Sequence, residues 1–266
     1  MQIAIIGCGN MGRALAQRLS QTHQLFFYDH HPEKAASLAQ EGYGKACKTL
    51  QEVLHPSAVL ILAIKPQGLK EAASGIKDLL HKGQLVVSLL AGTPIETLKG
   101  HFATAQIVRM MPNLALIHGE GVIGLSADEA TKKGVQAELA GALEVLGSVF
   151  WLPEGKMDAL TALTGSGPAF FFTIVEAMID AGIAMGFAAK DAQQLVYQML
   201  QGSLALLTNT SQHPGELKWQ IASPQGTTIA GLKKLEEHAL RGAVMNTFLA
   251  AYEHGRKLSS HATQGK

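Results

Sequence analysis

The sequence predicts an α/β first half built on a doubly wound sheet, followed by an all-helical second half. Three observations point there. Short unbroken apolar runs alternate with amphipathic stretches as far as residue 152. The first of these runs ends in a glycine-rich turn that opens a helix. Beyond Pro153 the strand-like runs stop, and helical periodicity continues nearly to the end.

Taken in order, Gln2 to Ile6 reads as a strand, Met11 to Leu19 as an amphipathic helix and Leu25 to Tyr28 as a second strand. His31 to Gln40 is helical, Val59 to Ile64 extended, Leu69 to Leu80 helical and Leu85 to Leu89 extended. Strands covered by helices on both faces carry continuous apolar runs, and their alternation with helices marks βαβ units. Further strands are expected at Gln106 to Met110, Val122 to Leu125 and Val149 to Leu152, with a helix from Asp128 to Leu146. A boundary near Pro153–Glu154 then divides the chain into domains 1–153 and 154–266. In the second, helices are expected at Met157 to Leu163, Ala169 to Met185, Lys190 to Leu207, Pro224 to Leu235 and Ala239 to Lys257. The last eight residues, from Ser259, read as a frayed polar tail. Ala169 to Met185 is apolar on nearly every face, broken only by Glu176 and Asp180. Such a helix requires burial all round, and a five-helix domain offers little cover. A second subunit supplies it, which makes the helical half a dimerisation domain; the alternative cover is the chain's own first half.

Composition excludes several classes. Of the 266 residues 47% are hydrophobic and 16% charged, enough to bury a real core. A net charge of +1 gives no reason to expect nucleic acid or an anionic membrane as a partner. Two cysteines, Cys8 and Cys47, suit a reduced interior. The first strand has no basic stretch before it and no small-residue cleavage site after it, and apolar stretches such as Ala169 to Ile174 are expected to be too short to span a bilayer. The expected location is cytoplasmic, with no membrane partner.

Gly7-Cys8-Gly9-Asn10-Met11-Gly12 is a G-x-G-x-x-G between a strand and a helix, the context that gives the motif its meaning. Gly7 permits the tight turn, Gly9 lets the backbone approach a pyrophosphate, and Gly12 allows close packing of helix on sheet. This is the fingerprint of a Rossmann-type dinucleotide site. Asp29 ends the second strand, seventeen residues beyond Gly12, near where an acidic residue binds the ribose of NAD. Its carboxylate argues for NADH over NADPH, while His30, His31 and Lys34 just after it could hold a phosphate. Pro32 otherwise simply starts the next helix. Ala63-Ile64-Lys65-Pro66-Gln67 closes another strand, so Ala63, Lys65 and Pro66 are expected to face the cofactor. Ala91, beyond the strand Leu85 to Leu89, joins that set.

Four segments carry a resemblance: Ala63-Ile64-Lys65-Pro66, Arg109-Met110-Met111-Pro112-Asn113, Thr161-Ala162-Leu163-Thr164-Gly165-Ser166-Gly167-Pro168-Ala169 and Ser223-Pro224-Gln225-Gly226-Thr227-Thr228. Their order and spacing resemble those of pyrroline-5-carboxylate reductases, over nearly the whole chain to about residue 257. The last two are the specific ones. In physical terms, Ser166 or Thr164 stands near a helix start with Pro168 in its first turn. Ser223-Pro224 repeats that grammar, with Ser223 as cap and Gly226 inside the first turn. Gly226, Thr227 and Thr228 then offer backbone N–H groups and two hydroxyls at a positive helix end suited to a small carboxylate.

The resemblance implies an NAD(P)H-dependent reduction of 1-pyrroline-5-carboxylate to L-proline, the last step of proline biosynthesis, by a homodimer or an assembly of dimers. It implies that Thr228 bonds the ring nitrogen and that its loop, contributed by the partner subunit, holds the substrate carboxylate. Ser166, Gly167, Pro168, Ser223, Gly226 and Thr227 complete the expected substrate set. Gln225 departs from the family pattern, where a second glycine usually stands. Two other readings remain. A β-hydroxyacid dehydrogenase shares the layout but places a lysine on the long helix, and Ala169 to Gly186 has none. A non-catalytic nucleotide sensor would need no second anion site. Eleven histidines include no pair at metal-ligand spacing on one helix face, so no metal is expected.

Overall fold

The computed structural model describes residues 1–54 and 57–264. They fall into two compact units, Met1–Gly165 together with the stretch that begins at Tyr252, and Ser166–Ala251.

The first unit is an eight-stranded sheet. Its strands are β1 (Gln2–Ile6), β2 (Gln24–Tyr28), β3 (Lys45–Ala46), β4 (Val59–Leu62), β5 (Leu85–Ser88), β6 (Gln106–Pro112), β7 (Gly121–Ala127) and β8 (Gly147–Trp151). Spatial order is β3-β2-β1-β4-β5-β6-β7-β8, parallel except for the antiparallel pair β6–β7. Helices α1 (Asn10–Leu19), α2 (Pro32–Gln40), α3 (Leu50–Leu54), α4 (Leu69–Ile76), α5 (Ile95–His101) and α6 (Lys133–Leu143) connect them. Alternate residues of β1, β2, β4, β5 and β6 feed two separate cores. Ile3, Ile5, Phe27, Ile61, Val87 and Val108 pack with α1, α2 and α6, whereas Ala4, Ile6, Phe26, Leu60, Leu62 and Val86 pack with α3, α4 and α5. Both faces of these strands are therefore dry, which is why they read as unbroken apolar runs.

The remaining helices are α7 (Met157–Leu160), α8 (Gly167–Ala184), α9 (Ala189–Thr210), α10 (Pro214–Ile221), α11 (Thr227–Glu237) and α12 (Leu240–Gln264). Between α7 and α8, Thr161–Ser166 forms a wider π turn. Within the second unit α8 lies against α9, with Gly182 facing Ala192, and Phe170 meets Phe248 edge-on at 5.2 Å. Most large apolar side chains of α8 and α9, among them Phe171, Phe172, Leu195 and Leu204, stand exposed on the single chain.

Several expectations need correction. The helix expected over Asp128 to Leu146 is shorter, because Asp128 N–H bonds Ile107 O beside β6 and Thr131 bonds Asp128 before α6 begins. The tail from Ser259 continues as helix to Gln264, with Gly265 and Lys266 outside the described residues. Gly226 is not inside a first turn: it is the N-cap of α11, and Ser223 to Gln225 form the turn before it. Ser166 caps α8 by position only, its hydroxyl making no capping bond. The apolar stretches also exceed the expected length. The helical run Glu154–Ala184 has 31 residues and is long and apolar enough to cross a membrane by length and composition alone, because the backbone passes through the π turn without breaking.

Candidate active site

The chain runs from β1 outward to β2 and β3, then returns to place β4 on the other side of β1. Ligands of open sheets bind at the carboxyl edge beside such a reversal. Gly7 stands there, between Asp29 after β2 and Ala63 after β4. Its φ of +100° requires glycine, and a Cβ would also lie 2.5 Å from Ala63 O. A Cβ at Gly12 would strike the Gly7 carbonyl. Gly9 differs: a Cβ there would meet no atom within 4 Å. Packing accounts for the first and third glycines and leaves the second to a ligand, so the turn fits a dinucleotide pyrophosphate at the start of α1.

Asp29 is half-buried and fixed by two backbone donors. Its Oδ2 accepts Cys8 N–H at 2.7 Å and its Oδ1 accepts His31 N–H at 2.9 Å. Each oxygen keeps a lone pair for a ribose hydroxyl. His30, His31 and Lys34 are exposed just beyond it. Burial first, then the Asp29 charge, pushes the Cys8 thiol up to about 12, so it stays protonated and inert at neutral pH. Lys65 is exposed, its carbonyl accepting Gly68 N–H at 3.0 Å, and Ala91 is exposed beyond β5. These residues share the carboxyl edge with Gly7. Nearby, the buried Arg109 of β6 donates from Nη1 to Glu154 Oε1 at 2.9 Å, and the same oxygen accepts Ile95 N–H at 2.7 Å.

The residues expected to meet substrate lie at the entrance of α8 and before and at the start of α11. Gly167 is buried, and a Cβ there would come within 3.2 Å of the Phe248 ring. Asn113, after β6, donates from Nδ2 to Thr164 O at 3.0 Å within the π turn. In the second unit Ser223 O accepts Gly226 N–H at 3.1 Å, and a Cβ on Gly226 would strike Ser223 Oγ. Gln225 holds this turn with φ +60°, a conformation glycine adopts more cheaply. Thr227 and Thr228 then occupy the first two helical positions of α11, whose first N–H groups have no partner within a helix. Thr228 is half-buried, Thr227 exposed. Such a terminus suits an anion and has a hydroxyl beside it.

Comparison with known proteins agrees with this layout. Residues 154–258 match the family model "Pyrroline-5-carboxylate reductase dimerisation", and residues 2–92 match "NADP oxidoreductase coenzyme F420-dependent". A pyrroline-5-carboxylate reductase of Methanosarcina acetivorans is 35% identical, over 97% of this chain and 97% of that one. The chain belongs to the pyrroline-5-carboxylate reductase family. Solved reductase structures superpose along its length. That of Coxiella burnetii gives a TM-score of 0.88 at 27% identity, covering 96% of this chain and 97% of the other. That of Plasmodium falciparum, with NADP bound, gives 0.87 at 26%, covering 97% and 98%. Among the described residues no three His, Cys, Asp or Glu side chains are grouped to hold a metal ion. Reading by motif passed over Asn113 as an individual residue, although Pro168, four residues beyond Thr164, was a signal that the Thr164 carbonyl needs an outside donor.

Proposed function

We propose the following division of labour for this chain, an NAD(P)H-dependent oxidoreductase that reduces the cyclic imine 1-pyrroline-5-carboxylate to L-proline. Gly7 to Gly12 and the start of α1 hold the pyrophosphate, with Asp29, Ala63, Lys65, Pro66 and Ala91 around the rest of the dinucleotide. The Gly226 to Thr228 amides hold the substrate carboxylate, with Ser166, Gly167, Pro168 and Ser223 completing its surroundings. Thr228 Oγ1 orients the ring nitrogen. A reduced nicotinamide bound at the sheet edge supplies the hydride to the imine carbon, the C=N electron pair moving onto nitrogen. Because a cyclic imine can arrive already protonated, the chain need not supply a strong acid, and a threonine hydroxyl suits orientation better than proton donation. Catalysis is then mostly positioning, worth on the order of 7–11 kcal/mol.

One observation carries this reading: the chain matches a reductase of this family along 97% of its length; the open space at Gly9 and the helix start at Thr227 support the division between cofactor and substrate. Dinucleotide-binding and dimerisation domains are assigned to 1–153 and 154–266. The protein acts in the cytoplasm as a homodimer or an assembly of dimers, a reading supported by the dimerisation match and by the exposed apolar faces of α8 and α9. Asp29 gives NADH a modest advantage, since its fixed carboxylate repels a 2′-phosphate. The test is turnover of pyrroline-5-carboxylate with NADH and NADPH followed separately. Turnover with both and a higher kcat/KM for NADH agrees with the reading. Bound nucleotide without turnover would favour a sensor, and a clear NADPH preference would reverse the role given to Asp29.

A further inference from the structure

The Thr164 carbonyl stands at the entrance to α8. In a regular helix it would accept the N–H of the residue four ahead, but that residue is Pro168, which has none. Asn113 supplies the donor, Nδ2 lying 3.0 Å from Thr164 O. The oxygen of the same amide accepts Val122 N–H at 3.0 Å, and the side chain is buried. With one half donating and the other accepting, the orientation of the amide is fixed. The segment so held is the π turn Thr161–Ser166, a deviation inside helices that frequently marks functional sites. The turn's threonine hydroxyls bond backward, Thr161 to Met157 O at 2.8 Å and Thr164 to Leu160 O at 3.0 Å, so neither serves the Thr164 carbonyl.

We propose that Asn113 is a positioning residue for the reduction. It stands in for the N–H that Pro168 lacks, fixes the π turn, and thereby sets the backbone from which Ser166, Gly167 and Pro168 meet the imino acid. This rests on the substrate role given above to those three residues. Asn113→Asp keeps the acceptor for Val122 N–H and turns an oxygen toward the Thr164 carbonyl. Pro168→Ala restores an N–H four residues beyond Thr164. Wild type, the two single variants and the double variant are compared for kcat, KM for pyrroline-5-carboxylate, Kd for NADH by fluorescence, and Tm.

In Asn113→Asp the KM for the imino acid rises about tenfold or more, as for loss of one hydrogen bond to a buried group, while NADH affinity stays within about twofold. In the double variant KM returns to within about threefold of Pro168→Ala alone, because the added N–H takes over the bond. An unchanged KM in Asn113→Asp, an equal loss of NADH affinity, or a double variant no better than the single would each overturn the proposal. Should Asn113→Asp fail to fold, the double variant decides: folded with a KM near that of Pro168→Ala supports it, and unfolded or high-KM contradicts it. Wild type without turnover would sink the assigned activity instead, and coupling between positions 113 and 168 in Tm would then decide whether the bond is made.

Discussion

Adding one methyl group at Gly9 separates the cofactor's demands on the glycine turn from the fold's. The backbone there is extended, φ −74° and ψ −165°, which any residue adopts, and the new Cβ meets no protein atom within 4 Å. Gly9→Ala is therefore accepted without strain and restricts the unfolded chain, stabilising the protein by about 0.4–1 kcal/mol. At about 2–4 °C per kcal/mol in a chain of this size, Tm rises by roughly 1–4 °C. Cofactor binding moves the other way, because the methyl fills the space through which the turn approaches the pyrophosphate. Loss of one hydrogen bond to a charged group, about 1.5–3 kcal/mol, weakens binding by roughly ten- to a hundredfold. Gly12→Ala is the contrast. Its Cβ falls on the Gly7 carbonyl, so the turn must open and stability drops by about 1–3 kcal/mol. Thermal unfolding without nucleotide, paired with NADH titration, reads both signs. A Gly9→Ala protein that melts lower yet binds NADH as well as wild type would refute the reasoning.

Two further consequences concern buried charge. Glu154→Ala strips the buried Arg109 guanidinium of its carboxylate and leaves Ile95 N–H unpaired. Breaking a fully buried pair costs about 3–5 kcal/mol, but Glu154 is about a third exposed and water compensates in part, so denaturant unfolding should report about 2 kcal/mol. The Cys8 thiol, raised from 9.0 to about 12, keeps its proton in the folded chain at a pH where the unfolded chain loses it. Stability from this group is complete below pH 9 and is lost as pH rises toward 12. Between pH 8 and pH 10 wild type should lose about 1.4 kcal/mol relative to Cys8→Ala, measured by urea midpoints; parallel curves would contradict it.

The main strands were legible because both faces of the sheet are dry, so Ile3 to Ile6 and Val59 to Leu62 had to be continuously apolar. Gly7 and Gly12 were legible because backbone approaches leave room for nothing else. What escaped the sequence was shorter or non-local. The edge strand Lys45–Ala46 has two residues, too few for any periodicity, and α3, α5 and α10 span eight residues or fewer. Gly226 was misplaced by one feature: Ser223-Pro224 has the grammar of a helix start, yet the chain first makes a turn with Gln225 at positive φ. The bond from Asn113 to Thr164 joins residues far apart in sequence, and only the missing N–H of Pro168 hinted at it.

The central claim is that Thr228 at the start of α11 orients the imine nitrogen for hydride transfer. Its most direct test compares wild type and Thr228→Ala for pyrroline-5-carboxylate reduction, with NADH affinity measured alongside. The account predicts that kcat/KM falls by roughly ten- to a hundredfold, the worth of one such hydrogen bond, while NADH affinity and Tm stay unchanged. A Thr228→Ala protein that turns over the imino acid like wild type would contradict it.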